Sequence, residues 1–551
     1  MDLYDYIVVG AGSAGCAVAV RLSADPSVSV LLVEAGGSDR RLSVRAPLGY
    51  SAQFGGATDW AYETEPERHC AGRRIPEPRG KVLGGTSAMN AMVWVRGSRA
   101  DYDGWNVPGW GWKDVAPVFR RIESHHIGGP EHGTSGPVRV TRLAQPTDEA
   151  ERFVDAARAA GVPANDDVGG PDLDGAAISP VTVWRGQRWS TARAYLDSAR
   201  RRANLTIVTR ALVHRVVLRS GRAVAVEYER RGRRHVAGAR REIVLSAGAF
   251  GTPQLLQLSG IGPAHHLRSV GISSVVDSPH VGASLVDHPA TYMNWELRDG
   301  HVGLADAGHP KWLLQWLLRR RGKLASNFME AVAHIRSDTA LAAPDFQLIC
   351  GPAYVWDYAR AKHPRPALAI IQSYWTPKST GSVLVRSGDP RQPPQIQLNS
   401  FADSRDVDAV VRAIRRSRQI AATEPLASVL GREIHPGVDV VSDSALKTWI
   451  RETSGTTGHP ACSAAMGTDP ESVLDERLRV RGVAGLRVAD ASAFPRIPRA
   501  NTNAPAILFG ERCAEFIVED AATPDTSVSA TSGTPAAPTG VRSEERKPEG
   551  A

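Results

Sequence analysis

Residues 4–37 read YDYIVVGAGSAGCAVAVRLSADPSVSVLLVEAGG. Apolar positions Tyr6 to Val9 lead into a glycine turn, a small-residue stretch follows, Pro26 breaks it, and a second apolar run ends at Glu34. Short apolar runs bounded by turn residues read as buried strands, so the whole is one βαβ unit of about thirty residues. GAGSAG puts Gly10, Gly12 and Gly15 in the G-x-G-x-x-G spacing. The first glycine permits a tight turn, the second lets backbone approach a diphosphate, and the third lets helix and strand pack closely. The helix start beyond, with Ser13 and Ala14, then faces phosphate. Glu34, followed by Ala35, closes the second strand, where a carboxylate accepts ribose hydroxyls and repels a 2′-phosphate. These residues specify an ADP-containing cofactor and leave NAD and FAD open.

Around that unit the chain runs to 551 residues, 42% hydrophobic and 23% charged, which suits a soluble globular protein of two to four domains. Eight of its 66 basic residues are Lys; the Arg are scattered and no basic run interleaves with aromatics, which excludes a nucleic-acid partner despite the net charge of +8. Cys16, Cys70, Cys350, Cys462 and Cys513 form no CxxC pair, arguing against a disulfide framework or zinc site and for a reducing compartment. The first periodic segment begins by Leu3, leaving no room for a signal peptide, and no apolar stretch approaches the ~20 residues of a spanning helix. A cytoplasmic location is expected. The pairs His125-His126 and His265-His266 would diverge on a regular element and have no spaced third ligand, so no metal is expected.

Short alternating strands run from Asn204 to an apolar strand at Ile243–Ser246, with a turn at Ser220-Gly221. From about 290 to 455 the texture becomes richer in Trp and Pro, and small residues return at 455–518. The expected fold is α/β, with a Rossmann-like domain built from discontinuous pieces and an inserted second domain. The last residues, 521–551, are rich in Pro, Ser, Thr and Ala and should be disordered.

Further stretches carry more. GKVLGGTSAMNAMVWVRG (80–97) and GAFGTPQLLQLSGIGP (248–263) resemble the two signature segments of the glucose-methanol-choline (GMC) family of flavin oxidoreductases. RAPLGY (45–50), DWAYETEP (59–66), GQRWSTARAYL (186–196), VGASLVDHP (281–289) and LRVADASAFP (486–495) resemble other family segments, so the likeness runs from Leu3 to Val518. The nearest flavour is the bacterial choline and aliphatic alcohol dehydrogenase branch.

The resemblance implies non-covalent FAD, because Met89 stands where some members carry a flavin-linked His. It implies an FAD-binding domain from 1–155, 201–290 and 456–520, a substrate-side segment at 156–200, and at 291–455 a substrate domain whose antiparallel sheet is covered by helices. Gly84, Gly85, Thr86, Ser87 and Asn90 would lie along the flavin, where larger side chains would displace the ring. AMVWV would be a strand or helix start packed behind them. Trp60, Val82, Ala91, Met92, Val93, Ala247, Ala491 and Thr502 join the cofactor set, with Asp490 near the ribityl–diphosphate region and Val213 offering backbone to adenine.

TTGHPACSAAMG (456–467) supplies His459 and RANTNAPAILFGE (499–511) supplies Asn503 as the implied catalytic pair, with Asn501 as rival for that role or a flavin contact. A neutral imidazole takes the hydroxyl proton, and Asn503 steadies developing alkoxide charge. The implied reaction oxidises a small-molecule alcohol, passing electrons to a quinone or carrier in preference to oxygen. The same fold also hosts oxidases, non-redox lyases and photodecarboxylases, and a non-enzymatic alternative is a flavoprotein that only relays electrons to another dehydrogenase. Gly458, Ala465 and SLVDHP depart from the branch pattern of Tyr, a basic residue and NLQDHP; the smaller wall beside His459 implies a roomier or redirected pocket, which puts choline in doubt. Glu330, in SNFMEAVAHIRS (326–337), stands either as a partner for a cationic substrate or as a structural acid. The basic amphipathic segment KWLLQWLLRRRGKL (311–324) would cover the substrate pocket rather than lie on a membrane. Oligomeric state leaves no mark in the sequence.

Overall fold

The computed structural model describes residues 1–358, 360–522 and 550. In chain order its main elements are β1 (Asp2–Val9), α1 (Ser13–Leu22), β2 (Val30–Glu34), α2 (Asp148–Ala159), β3 (Gly175–Ile178), β4 (Leu205–Thr209), β5 (Ala211–Arg219), β6 (Arg222–Arg230) and β7 (Arg233–Leu245). They continue with α3 (Gly248–Leu258), β8 (Pro289–Leu297), α4 (Pro310–Arg319), β9 (Ala331–Ile335), β10 (Phe346–Gly351), β11 (Ala367–Tyr374), α5 (Ser404–Ala421), β12 (Leu430–His435), β13 (Gly455–Thr456), β14 (Leu486–Val488) and α6 (Asn503–Ala522).

The first sheet runs β4-β2-β1-β7-β6-β5, with β14 pairing the end of β7. Its β4-β2-β1-β7-β14 portion is parallel, and β5, β6 and β7 form an antiparallel meander. Parallel strands are covered on both faces, which is why every residue of β2 and the last four of β1 are buried. α1 is buried nearly all round because α6 crosses it closely: a Cβ on Gly510 would lie 2.5 Å from the Ala14 carbonyl oxygen.

The second sheet, β12-β8-β11-β10-β9-β3 with β13 on β8, is antiparallel throughout. Side chains alternate across it. Leu348, Cys350, Leu368 and Ile370 pack with Phe153 of α2 and Val410 and Ile414 of α5, while Ile349, Ala369 and Ile371 turn to the other face. That second face meets the first sheet's ligand end. The fold is thus the expected α/β framework with an antiparallel, helix-covered second sheet.

Several local expectations change. AMVWV is neither strand nor helix: Gly85–Ala88 form a 3-10 turn, and Val93 makes an isolated bridge to Val181. In α4, Trp316 is buried and donates to the Gly186 carbonyl at 2.7 Å, while Leu313, Leu314, Leu317 and Leu318 face outward. No residue of α4 lines the central cavity, so it is not the pocket cover expected of it. Ala521 and Ala522 belong to α6; the rest of the tail expected to be disordered, apart from Gly550, lies outside the described residues. No helix among the described residues is long and apolar enough to cross a membrane.

The histidine pair at 125–126 also differs. Its rings stack at 4.8 Å, and the fold brings His132 and Asp167 to it, placing one ligand atom each from His125, His132 and Asp167 within 4.8 Å. The third ligand judged missing is therefore present in space. Protons nonetheless meet the demand of this cluster. His132 spans Glu123 (2.7 Å) and Asp167 (2.8 Å); burial lowers its pKa, but these two bonds outweigh it and raise the value overall. His125 accepts the Ile127 amide at Nδ1, so its Nε2 bears hydrogen rather than a metal-binding lone pair.

Burial, with His132 beside it, pushes His125 down to about 2. A folded-state value below the ordinary 6.5 means that the unfolded chain binds the proton first. The contribution is intact above pH 6.5 and is lost as pH falls, by about 1.4 kcal/mol per unit. His125→Phe should therefore show a shallower decline of melting temperature between pH 6.5 and 4.5 than the parent; equal slopes would refute the assignment.

Candidate active site

One continuous cavity runs from the carboxyl ends of β1 and β2 to the face of the second sheet that carries Ile349 and Ile371. At its first end Gly10, at φ +97°, turns the chain under the Ser246 carbonyl, and a Cβ there would sit 2.4 Å from that oxygen. Gly12 caps α1 without any side-chain hydrogen bond, leaving the helix N–H groups free toward the cavity. A second helix start, α6, meets the first: Ser13 Oγ donates to Asn503 Oδ1 at 2.7 Å. Two positive helix ends converging on one place make an anion site. Glu34 holds the turn by accepting the Ala11 and Gly36 amides at 2.9 and 2.7 Å, and burial raises it to about 7. Val213 lies beside a bulge in β5 and lines the cavity with Ala211 and Leu212. Asp490 accepts from Gly248 N–H, Thr252 Oγ1 and both donors of Ser492, tying the starts of α3 and the 491–493 turn together.

At the other end His459 is buried in the wall. Its amide donates to Asp287 Oδ1 at 2.7 Å, which also accepts the His288 amide at 2.6 Å. Its Nδ1 lies 3.1 Å from Thr457 Oγ1 and 3.0 Å from His288 Nδ1, and its Nε2 lies 3.4 Å from Asn501 Nδ2. Burial, assisted by the Arg79 cation, pushes His459 down to about 3. Burial raises Glu77 and Asp287 above the ordinary carboxylate range, and the Asp287 charge raises Glu77 further.

Of the residues implied for the cofactor and catalysis, Gly10, Gly12, Ser13, Glu34, Ala35, Trp60, Gly85, Thr86, Ser87, Asn90, Ala91, Met92, Val93, Val213, Ala247, Asp490, Ala491, Asn501, Thr502, Asn503 and His459 line this cavity. Ala14, Gly15, Val82 and Gly84 do not; they close the turns beneath it. A Cβ on Gly15 would overlap the Gly10 carbonyl at 1.9 Å, and Gly84 N–H donates to Ala11 at 2.8 Å. Asn503 opens α6 and accepts from Ser13 Oγ, whereas Asn501, two residues earlier in the loop, is the amide within 3.4 Å of the imidazole. Glu330 does not face the cavity either: it accepts from Thr147 N–H and Oγ1 at the start of α2 and from Ser326 Oγ, all within 2.8 Å. Nor is the space beside Gly458 vacant. Arg79 donates to the Gly458 carbonyl at 2.8 Å, and a Cβ on Gly458 would lie 2.6 Å from its guanidinium. Arg79, Asp287, Thr457 and His288 went unassigned in the sequence, although VGASLVDHP contains two of them.

Residues 4–290 and 377–510 match the two family models described as GMC oxidoreductase. The chain is 41% identical over 524 residues to an uncharacterised GMC-type oxidoreductase of Mycobacterium tuberculosis, covering 93% of this chain and 99% of that one. It is 38% identical over 526 residues to an oxygen-dependent choline dehydrogenase of Rhizobium etli, with 93% and 95% covered. Among solved structures it is similar to pyridoxine 4-oxidase from Mesorbium loti (TM-score 0.86, 30% identity, 93% and 98% covered). It is also similar to formate oxidase from Aspergillus oryzae, a protein studied for modification of its FAD (TM-score 0.89, 29% identity, 94% and 98% covered). The chain belongs to the GMC oxidoreductase family. FAD is its cofactor, and the cavity fits it: the uncapped α1 start and the α6 start suit a diphosphate. Gly85 approaches Gly12 so closely that a Cβ on it would meet Gly12 Cα at 2.7 Å.

Two substitutions test these placements. Gly12→Val should fold yet bind FAD at least tenfold more weakly, read as the 450 nm absorbance of purified protein. Asn501→Ala should retain flavin and lose turnover, whereas Asn503→Ala should release flavin more readily; the reverse pattern would restore Asn503 to the catalytic position.

Proposed function

We propose that this protein oxidises an uncharged alcohol bearing an apolar group to the aldehyde or ketone, with His459 and Asn501 as the catalytic pair. The observation that carries the reading is the reactive end of the cavity: one buried imidazole and one amide among Tyr50, Phe54, Tyr292, Phe328, Met329 and Ile349, with no carboxylate in that part of the lining.

Bound FAD supplies a ring that accepts a hydride. The protein's share is binding, orientation and proton handling. With a folded-state value near 3, His459 is neutral at working pH and can accept the hydroxyl proton at Nε2. Its imidazolium is disfavoured beside Arg79, so it forms only as a pair with the negative oxygen it has just deprotonated. The Asn501 Nδ2 hydrogen that rests on His459 Nε2 is released as that nitrogen takes the proton, and it then donates to the developing oxyanion. The Asp287 bonds to the backbone of His288 and His459 keep the ring from drifting. Apolar walls exclude water and strengthen each of these interactions.

The fixed cation Arg79 and the inward turn of Glu330 toward α2 disfavour a cationic substrate, although relatives are choline dehydrogenases. Met89, which offers no imidazole for a covalent link, supports non-covalent flavin. We assign reoxidation to a quinone or carrier before oxygen, as the branch resemblance implies. We assign the cytoplasm as location because all five cysteines are free and buried.

Anaerobic mixing with a panel of alcohols tests the reading. Aliphatic and aromatic alcohols should bleach the flavin at least tenfold faster than choline, with slow recovery when air is readmitted. Bleaching by choline alone would overturn the substrate class, bleaching by no alcohol would overturn the reaction, and rapid recovery in air would make the protein an oxidase.

A further inference from the structure

Histidine can act as base at Nε2 only if that nitrogen carries a lone pair, and buried side chains behind the cavity wall control this. We propose that Gln347 and His334 are positioning residues that set the tautomer of His459 through the amide of Asn501. The inference rests on the reading of His459 as the base and adds two residues that lie outside the cavity lining.

The polarity of the chain starts at a group that can only accept. The Leu173 carbonyl lies 3.0 Å from His334 Nδ1, so Nδ1 bears the hydrogen. His334 is neutral, because burial pushes it down to about 4, and its Nε2 is therefore a lone pair. Gln347 Nε2 lies 3.1 Å from that nitrogen and donates to it, which fixes the direction of the Gln347 amide. Gln347 and Asn501 then pair amide to amide: Gln347 Nε2 donates to Asn501 Oδ1 at 3.2 Å, and Asn501 Nδ2 donates to Gln347 Oε1 at 3.3 Å. The second hydrogen of Asn501 Nδ2 points at His459 Nε2, 3.4 Å away, which must accept it. The hydrogen of His459 is left on Nδ1, facing Thr457 and His288. Each orientation forces the next.

His334 and Gln347 are fully buried, and the Trp375 ring packs tilted against His334 at 4.7 Å, so water does not offer these two an alternative partner. Reversing the amides would set Asn501 Oδ1 against His459 Nε2. That oxygen would hold a proton on the nitrogen that has to take one, and it would favour the imidazolium. The other groups facing His459 are Arg79, His288, Thr457 and Asp287, with Glu77 behind them, and none takes part in this line.

The test uses FAD-loaded enzyme labelled with 15N-histidine, the His459 signals being identified by their loss in His459→Gln. In the parent, His459 Nε2 should show the shift of an unprotonated ring nitrogen. In Gln347→Leu it should move toward the protonated position. His334→Leu, which keeps the amide pair and unties only its polarity, should show both forms and serves if Gln347→Leu does not fold. In flavin reduction, Gln347→Leu should lower kcat at least tenfold with KM within twofold, and should raise the acid limb of kcat by about one pH unit. In an Asn501→Ala background it should have no added effect. A parent His459 protonated at Nε2, or one unchanged in both variants, overturns the proposal. Because the spectra need no turnover, they decide the matter even if no alcohol proves to be a substrate.

Discussion

The reactive end of the molecule depends on one carboxylate oxygen. Asp287 Oδ1 accepts the amides of His288 and His459, joining the strand that enters the second sheet to the segment that leaves it. Both segments also pair directly, Pro289 with Thr456 and Ala290 with Gly455 in β8 and β13. The imidazole therefore sits where the two sheets meet, placed by its backbone, with Thr457 and His288 at Nδ1 and Asn501 at Nε2. Nε2 meets only the long Asn501 contact at 3.4 Å and no acid, which suits the proposed role as base.

The two ends of the cavity are built from opposite electrostatics. At the nucleotide end, the starts of α1 and α6 converge and Ser13 ties them together, so backbone dipoles rather than lysine or arginine side chains face the place for the diphosphate. At the substrate end the walls are apolar, and the charged group near the base is Arg79, pinned by the Gly458 carbonyl and Glu77. Arg79 adds to the burial that keeps His459 neutral, and on the proposed reading it also repels a cation. A glycine at 458 makes this possible, since its φ of +72° and the 2.6 Å approach of the guanidinium leave no room for a side chain.

Much of this was legible because it is local. The glycine spacing at 10–15 with Glu34 specified the first βαβ unit, and TTGHP marked His459 within a motif. What stayed hidden is long-range. Asn501 and Asn503 are equivalent by composition and lie two residues apart; only the start of α6 at Asn503 decides which one turns back to Ser13. Glu330 reads equally well as a cation partner or a structural acid, and its direction follows from Thr147, 183 residues away. Of the roomier or redirected pocket expected at Gly458, the extra room is absent for the same reason: Arg79 fills the space from a distant segment. His125 gained His132 and Asp167 through folding that spacing along the chain does not reveal.

The central claim is that a neutral His459, fixed at the sheet junction, is the proton acceptor. Its most direct test is single-turnover flavin reduction by the best alcohol, under anaerobic conditions, in the parent and in His459→Gln at matched flavin content from pH 6 to 9. The structure predicts a rate at least a hundredfold lower in His459→Gln, with the flavin still bound. Reduction at the parent rate would contradict the claim.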